Sequence, residues 1–380
     1  MELPQLLWQD PTWPALRYDG AQVAQSVAQA RRALGVVEGK LTVLGFDERQ
    51  SLVAEAWTQE ALSTAAIEGE RLDLLAVRSS VARRLGLGDL KSGSAGRHVD
   101  GQLDIMEDAV THASDELTHE RIQAWQAALF PTGFSGMRPV LVGAYRVHQM
   151  QIVSGPAGRE TVHYEAPPAD RTTAEMQRLL DWFNQDAEKD RLVQAALVHL
   201  WFETIHPFDD GNGRVGRVLV DLAMARDSGE AGRLMRISQR LLEQRADYYA
   251  QPAQAQHGSC NVTDWVVWFV AQVRAACDAA SLVLESSLVK ARFWSAHSAR
   301  AINGRQRKVL NLLLDAGPGG FKGGLSTRKH ENITAASRAT SSRDLIELQE
   351  GGLLHRVGAG RSTRYYINMP GWYPKDAMST

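Results

Sequence analysis

Only two cysteines, Cys260 and Cys277, occur in 380 residues. They have no C-x-x-C spacing, so neither a disulfide-stapled scaffold nor a zinc cluster is supported, and a reducing, cytoplasmic setting is expected. Long hydrophobic runs are missing too. No stretch approaches about 18 uninterrupted apolar residues, and the opening "MELPQLLWQDPTWPALRYDG" has neither the basic start nor the apolar segment of a secretory leader, so no membrane partner is expected. Neither sign of charge prevails, with 42 Lys+Arg against 44 Asp+Glu for a net −2. Repeats and low-complexity tracts are absent. What remains, 44% hydrophobic residues in a chain of this length, suits a soluble globular protein of two or three domains.

Against that plain background one stretch stands out, "HPFDDGNGRVGR" from His206 to Arg217. The run before it has helical spacing, with Ala196, Leu197, Leu200, Trp201 and Ile205 able to share a face, and reads as a buried helix. Asp-Gly-Asn-Gly breaks it, and helical spacing resumes from Arg214. The glycines therefore lie in a tight turn that opens a second helix. Unpaired N–H groups at such a start attract anions, and glycines let a phosphate come close. Arg214 and Arg217, nearly on one face, could clamp its oxygens. His206 at the other lip could take a proton from a nucleophile, and Asp210 could hold a magnesium ion shared with phosphate oxygens. A calcium loop fails on register: with Gly213 as its fixed glycine, positions 1 and 12 fall on Phe208 and Leu219, where carboxylates are required. The bland alternative is a polar helix-turn-helix corner with two solvated arginines.

The string matches the pattern HxFx(D/E)GNGRxxR at every fixed position, and the chain thereby resembles the Fic family of nucleotidyl transferases. The resemblance implies a mainly α fold: a helical core with a β-hairpin flap. It implies ATP as substrate and Mg2+ as cofactor, with AMP moved to a Ser, Thr or Tyr hydroxyl of an unidentified target protein. His206 would be the general base and Asp210 the magnesium ligand. Gly211, Asn212 and Gly213 would form the phosphate nest, Arg214 and Arg217 the phosphate contacts, Gly216 a further nucleotide-binding position and Phe208 a core anchor.

Flanking segments fit the same family. "GAYRVHQMQIVSGPAGRETVHYEAPPAD" reads as a hairpin followed by a loop stopped by Pro167 and Pro168. The family flap pairs with an extended target segment by strand addition, which would put Ile152, Val153, Ser154 and Gly155 at the flap tip and Val153 and Ser154 near the nucleotide. "RADYYAQPAQAQHG" resembles the adenine-binding segment, with Tyr248 and Gln256 as candidates, although two helical tyrosines are also ordinary packing residues. In "LSTAAIEGERLD", Thr64, Glu68 and Gly69 fit the inhibitory pattern (S/T)xxxE(G/N), in which the glutamate pairs with the second arginine of the main motif; read alone, the same residues are a helix end closed by glycine.

Three parts are expected: 1–90, a helical module carrying the inhibitory motif; 97–290, the catalytic domain; and 300–368. Trp8, Trp13 and Tyr18 in the first are expected to be packing anchors. Residues 300–368 hold 12 Lys+Arg and 5 Asp+Glu, a charge of +7, which leaves −9 on the rest. Three helices and a Gly-tipped hairpin there resemble a winged helix-turn-helix, which implies either DNA or RNA contact through phosphates or a protein-contact or homodimer module. Two functions are thus in play: a protein adenylyltransferase restrained by Glu68, or a nucleotide-sensing DNA-binding regulator. An enzyme moving or removing another phosphate-linked group is a variant of the first.

Overall fold

A computed structural model of the chain describes residues 6–87, 96–154, 161–185, 188 and 190–374. Fourteen helices and six short strands follow one another in these residues: α1 (Gly20–Thr42), α2 (Phe46–Ile67), α3 (Leu74–Arg84), α4 (Arg97–Thr111), α5 (His119–Leu129), β1 (Phe134–Ser135), β2 (Arg138–Pro139), β3 (Gln151–Ser154), β4 (Thr161–Glu165), α6 (Thr172–Asn184), α7 (Arg191–Ile205), α8 (Asn212–Leu234), α9 (Ile237–Glu243), α10 (Arg245–Gln256), α11 (Thr263–Ala296), α12 (Gly304–Ala316), α13 (Thr327–Thr334), α14 (Arg338–Glu350), β5 (Leu354–Val357) and β6 (Arg364–Ile367). They divide into two compact units, residues 1–281 and 282–380.

The first unit is built around α7. Its start is fixed by Asp190, whose carboxylate accepts the Leu192 and Val193 N–H groups at 2.9 and 3.3 Å, satisfying donors that a helix start leaves free. Apolar residues occupy every face, from Leu192 to Ile205, as a helix enclosed on all sides requires. α8 packs along α7 and also against α4 and α2. The N-terminal helices thus share one compact unit with the helices carrying His206 and Arg217. Trp13 is an anchor in that unit: it is buried, and its indole donates to Glu175 at 2.9 Å. Trp8 donates to the Glu165 carbonyl and Tyr18 to the Glu188 carboxylate. α11 is long and apolar enough to cross a membrane by length and composition alone. Its first turns are core, however, with Trp265, Val266, Phe269 and Val270 buried and the Trp265 indole donating to the Ala196 carbonyl at 2.8 Å.

β3 and β4 pair antiparallel, with the register shifting between Ile152 and Val153, so the hairpin expected after Arg146 is present. Gly155, expected at its tip, lies outside the described residues. In the second unit α12, α13 and α14 are followed by the β5–β6 hairpin, and Leu325 pairs with Tyr365 through two backbone hydrogen bonds. Leu310, Leu313, Leu345, Tyr365 and Ile367 share its core.

Candidate active site

The loop between α7 and α8 is held in shape by its own residues. His206 ends α7 in the left-handed region at φ 49°, ψ 61°, which turns the chain sharply out of the helix. Phe208 is fully buried between the rings of Tyr145 and Phe202. Asn212 then closes the turn: its side-chain oxygen accepts the Phe208 N–H at 2.9 Å and its amide donates to the Phe208 carbonyl at 2.8 Å. Gly211 adopts φ 89°, a value only glycine takes without strain, and caps α8 with no side chain over its first N–H groups. The first N–H groups of α8 are therefore left without a capping side chain from the turn itself, as a phosphate nest at Gly211, Asn212 and Gly213 would require. Helix α8 begins at Asn212, two residues before Arg214, because Gly211 serves as its cap.

Arg146, unremarked in the sequence, fastens this loop. It is 2% exposed, and its guanidinium donates to the carbonyls of His206 at 2.9 Å, His148 at 3.0 Å, Pro167 at 2.6 Å and Ile205 at 3.3 Å. Its backbone N–H donates to Pro207. No carboxylate forms an ion pair with it among the described residues, and burial lowers its pKa from the usual arginine range, with Asp209 opposing.

His206 lies at the lip, with its side chain 18% exposed. Burial above all, aided by the nearby Arg146 charge and opposed by the Glu203 carbonyl, Glu68 and Asp210, holds its imidazole down to about 4, so the ring is neutral at ordinary pH. Asp210 is 32% exposed; one oxygen accepts the Gly211 N–H at 2.7 Å and the other stands 3.6 Å from Arg138. That second oxygen has no hydrogen bond among the described residues, and a single accessible carboxylate beside a phosphate nest fits a magnesium ion completed by phosphate and water.

The two arginines are buried and already engaged. Arg217, 2% exposed, donates to Glu68 at 2.7 Å, to the Thr64 hydroxyl at 2.7 Å, to the Thr64 carbonyl at 3.1 Å and to the Tyr248 hydroxyl at 3.3 Å. Arg214 reaches Glu70 at 3.1 Å and lies over the Phe130 ring. Glu68 is the residue just past α2, and Gly69 at φ 80° turns the chain so that Glu68 and Glu70 both face α8. A Cβ on Gly213 would run into the Glu68 carboxylate. Glu68 thus occupies the space directly over the turn. The helix-end reading of Thr64, Glu68 and Gly69 and the ion-pair reading are both present in one structure.

Tyr248 belongs to the Arg217 cluster: it also bonds His199 at 3.0 Å and stacks on that ring. Gln256 is buried at the end of α10, with no hydrogen bond to the catalytic loop among the described residues. Val153 and Ser154 lie in β3, opposite Val162 and Thr161. Gly216 lets α7 and α8 approach closely, since a Cβ there would stand 2.7 Å from Glu203 and 3.1 Å from His199. Sequence reasoning passed over Glu70, Arg146 and Glu203. Only Glu70 had a local signal, being two residues from Glu68.

Residues 116–224 match the Fic/DOC family, and residues 6–87 match a domain of unknown function, DUF4172. The protein adenylyltransferase Fic of Nematostella vectensis is 26% identical over 210 residues, 54% of this chain and 45% of that protein. The protein adenylyltransferase fic-1 of Caenorhabditis elegans is 36% identical over 78 residues, 20% of this chain and 14% of that protein. The chain thus spans less than half the length of these curated relatives. Among solved structures, a Fic family protein from Desulfovibrio desulfuricans G20 is 21% identical with a TM-score of 0.55, covering 90% of this chain and 95% of that one. A fragment of Caenorhabditis elegans Fic-1 is 20% identical with a TM-score of 0.51, covering 70% and 74%.

Proposed function

Because residues 116–224 of this chain form a Fic/DOC family domain, we propose that it is a protein adenylyltransferase restrained by Glu68. The observation that carries this reading is the neutral His206 imidazole at the lip of an uncapped, glycine-lined helix start with two buried arginines behind it. His206 accepts the proton of a Ser, Thr or Tyr hydroxyl as that oxygen attacks the α-phosphorus of ATP. The N–H groups of Gly211 to Gly213 and the guanidinium of Arg214 bind the phosphates. Arg217 takes the terminal phosphate once it leaves Glu68. Asp210 is the residue that would hold magnesium, whose charge draws the phosphate oxygens together. The β3–β4 hairpin offers an edge for the target backbone. The curated relatives named protein adenylyltransferase support this reaction class.

Mass spectrometry of the purified chain, or of a mixture with candidate targets, after incubation with ATP and magnesium is the test. Addition of one AMP to a protein hydroxyl is expected, and its loss in His206→Ala by about a hundredfold or more identifies the base. Transfer of a different phosphate-linked group would move the chain to another reaction of the same site, and unchanged transfer by His206→Ala would remove that residue from the mechanism.

A second reading concerns residues 300–368. Arg338, Arg343, Arg356 and Arg361 are exposed and in no ion pair among the described residues, which favours contact with a polyanion such as DNA. In that reading the chain senses nucleotide while bound to nucleic acid. The neutral base at His206 favours the enzyme, since a sensor has use for the nest but none for the histidine.

A further inference from the structure

The carboxylate of Glu203 stands beside His206 near the end of α7 without a hydrogen bond to it, while the Glu203 carbonyl also faces the ring. Its Oε2 lies 3.7 Å from His206 Nδ1, just beyond hydrogen-bonding length. His206 Nδ1 and Glu203 Oε1 are both buried and have no hydrogen-bond partner within hydrogen-bonding geometry among the described residues. Orphaned polar atoms in such a place cost free energy and call for a reason. A general base offers one: it must present one bare nitrogen to the incoming hydroxyl, and the partner of the other nitrogen decides which one is bare. Catalytic hydrogen bonds are often long before substrate arrives, and this separation is 3.7 Å.

We propose that Glu203 is the positioning residue of His206: its ionised carboxylate accepts the Nδ1–H and leaves Nε2 bare for the substrate hydroxyl, while the protonated carboxyl leaves the pair idle. This rests on the adenylyl-transfer reading above. In the step itself the hydroxyl proton moves to Nε2, the hydroxyl oxygen bonds the α-phosphorus, and the bond to the β-phosphate breaks with its electron pair going to departing pyrophosphate. The Nδ1 proton stays on the ring, shared with Glu203, and the Nε2 proton afterwards returns to solvent. Glu203 gains and loses nothing; its charge stabilises the imidazolium.

The surroundings make the pair sensitive near neutral pH. Burial pushes Glu203 up to about 7, with the Glu68 carboxylate adding to the rise and Arg217 opposing it. Below that pH the proton shared by Glu203 and Nδ1 leaves the other ring proton on Nε2, where it blocks base action. His199, from α7, is held neutral by burial at about 4. From α8 comes the Arg217 cation, from α10 and β4 come the raised phenols of Tyr248 and Tyr164, and Arg146 and Asp210 face His206 from the loops. Glu68 therefore acts on the base as well as on Arg217, because its negative charge favours the idle, protonated Glu203.

The test is a titration of the His206 ring nitrogens by 15N NMR on the full chain from pH 5 to 9, with the resonances assigned by their loss in His206→Ala. At pH 8 the wild type is expected to carry its proton on Nδ1, with Nε2 bare and becoming protonated through an apparent transition near 7. Glu203→Gln should lower that transition by about one unit or more, and Glu203→Asp, which keeps the charge, should retain part of it. In the Glu68→Gly chain the transfer rate should fall on acidification through a limb lying below the wild-type transition, and adding Glu203→Gln should remove that limb and slow transfer at pH 8 by about tenfold. An Nε2–H tautomer at pH 8 in the wild type, or a transition that Glu203→Gln leaves unchanged, overturns the proposal. The titration needs no turnover, so it decides the role of Glu203 even if no AMP is transferred, whereas absence of transfer in Glu68→Gly overturns the adenylyl-transfer reading alone.

Discussion

Replacing Glu68 with Gly removes the carboxylate that, among the described residues, is bonded to Arg217. The magnitude follows from the contacts. Arg217 is buried and Glu68 is 35% exposed, at 2.7 Å. A hydrogen bond between charged groups contributes about 1.5 to 3 kcal/mol net, and the exposure of Glu68 moves this pair toward the lower part of that range. If a bias of about 1.4 to 2.8 kcal/mol holds the idle pose, removing it raises the competent population about ten- to a hundredfold. Arg217 keeps its bonds to Thr64 and Tyr248, so it stays in place to receive the terminal phosphate. The variant should stay folded and melt about 3 to 6 °C lower, since about 1.5 kcal/mol is lost and each kcal/mol is about 2 to 4 °C of melting temperature for a unit of this size. Arg217→Ala behaves differently: it should fail to activate, and it should melt earlier because Glu60 and Asp221, acids whose charges Arg217 offsets, lose their cation. Self-labelling with labelled ATP, run beside melting curves for wild type, Glu68→Gly and Arg217→Ala, is the assay. Equal labelling of wild type and a folded Glu68→Gly would refute the reasoning, and so would activation by Arg217→Ala.

Asp210→Asn should weaken magnesium binding in the presence of ATP and slow transfer, as isothermal titration and the labelling assay would register; unchanged metal affinity returns Asp210 to a turn residue. Gly211→Ala forces a side chain to φ 89° with its Cβ 3.0 Å from the Phe130 ring, so a loss of about 1 to 3 kcal/mol is expected in thermal or urea melting, and an unchanged midpoint would mean that the turn relaxes freely. Replacing Arg338 and Arg343 together should weaken binding of the full chain to duplex DNA regardless of sequence and lower the salt slope by about 2 in gel-shift titrations; no binding by the wild type at low salt leaves the protein-contact role.

The sequence was most legible where the chemistry is contiguous. His206, Asp210, the three turn residues and both arginines fall within twelve positions, so spacing alone placed them at one helix junction. The pairing of Glu68 with Arg217 spans 149 residues and was reachable only through the family pattern. Arg146 gave no signal, because its partners are backbone carbonyls that any residue supplies. Glu203 looked like one more polar position on a helix, and its meaning comes from the left-handed turn at His206, which brings the ring back toward the carboxylate. Tyr248 was read toward adenine from its segment, yet its hydroxyl lies with Arg217 and His199. The start of α8 was placed late because Gly-Asn-Gly reads as a breaker, whereas Gly211 is a cap and Asn212 already helical.

Arg146 has a further consequence. One guanidinium grips the chain just before β3, just after β4 and at His206 itself, so the roots of the hairpin and the histidine form a single truss. A peptide zipped along the hairpin edge would then be measured out against the imidazole as against a ruler. Selection of the hydroxyl would fall to its place along the docked strand, by count of residues from the paired backbone, and unrelated sequences that present a hydroxyl at the same count would be served alike.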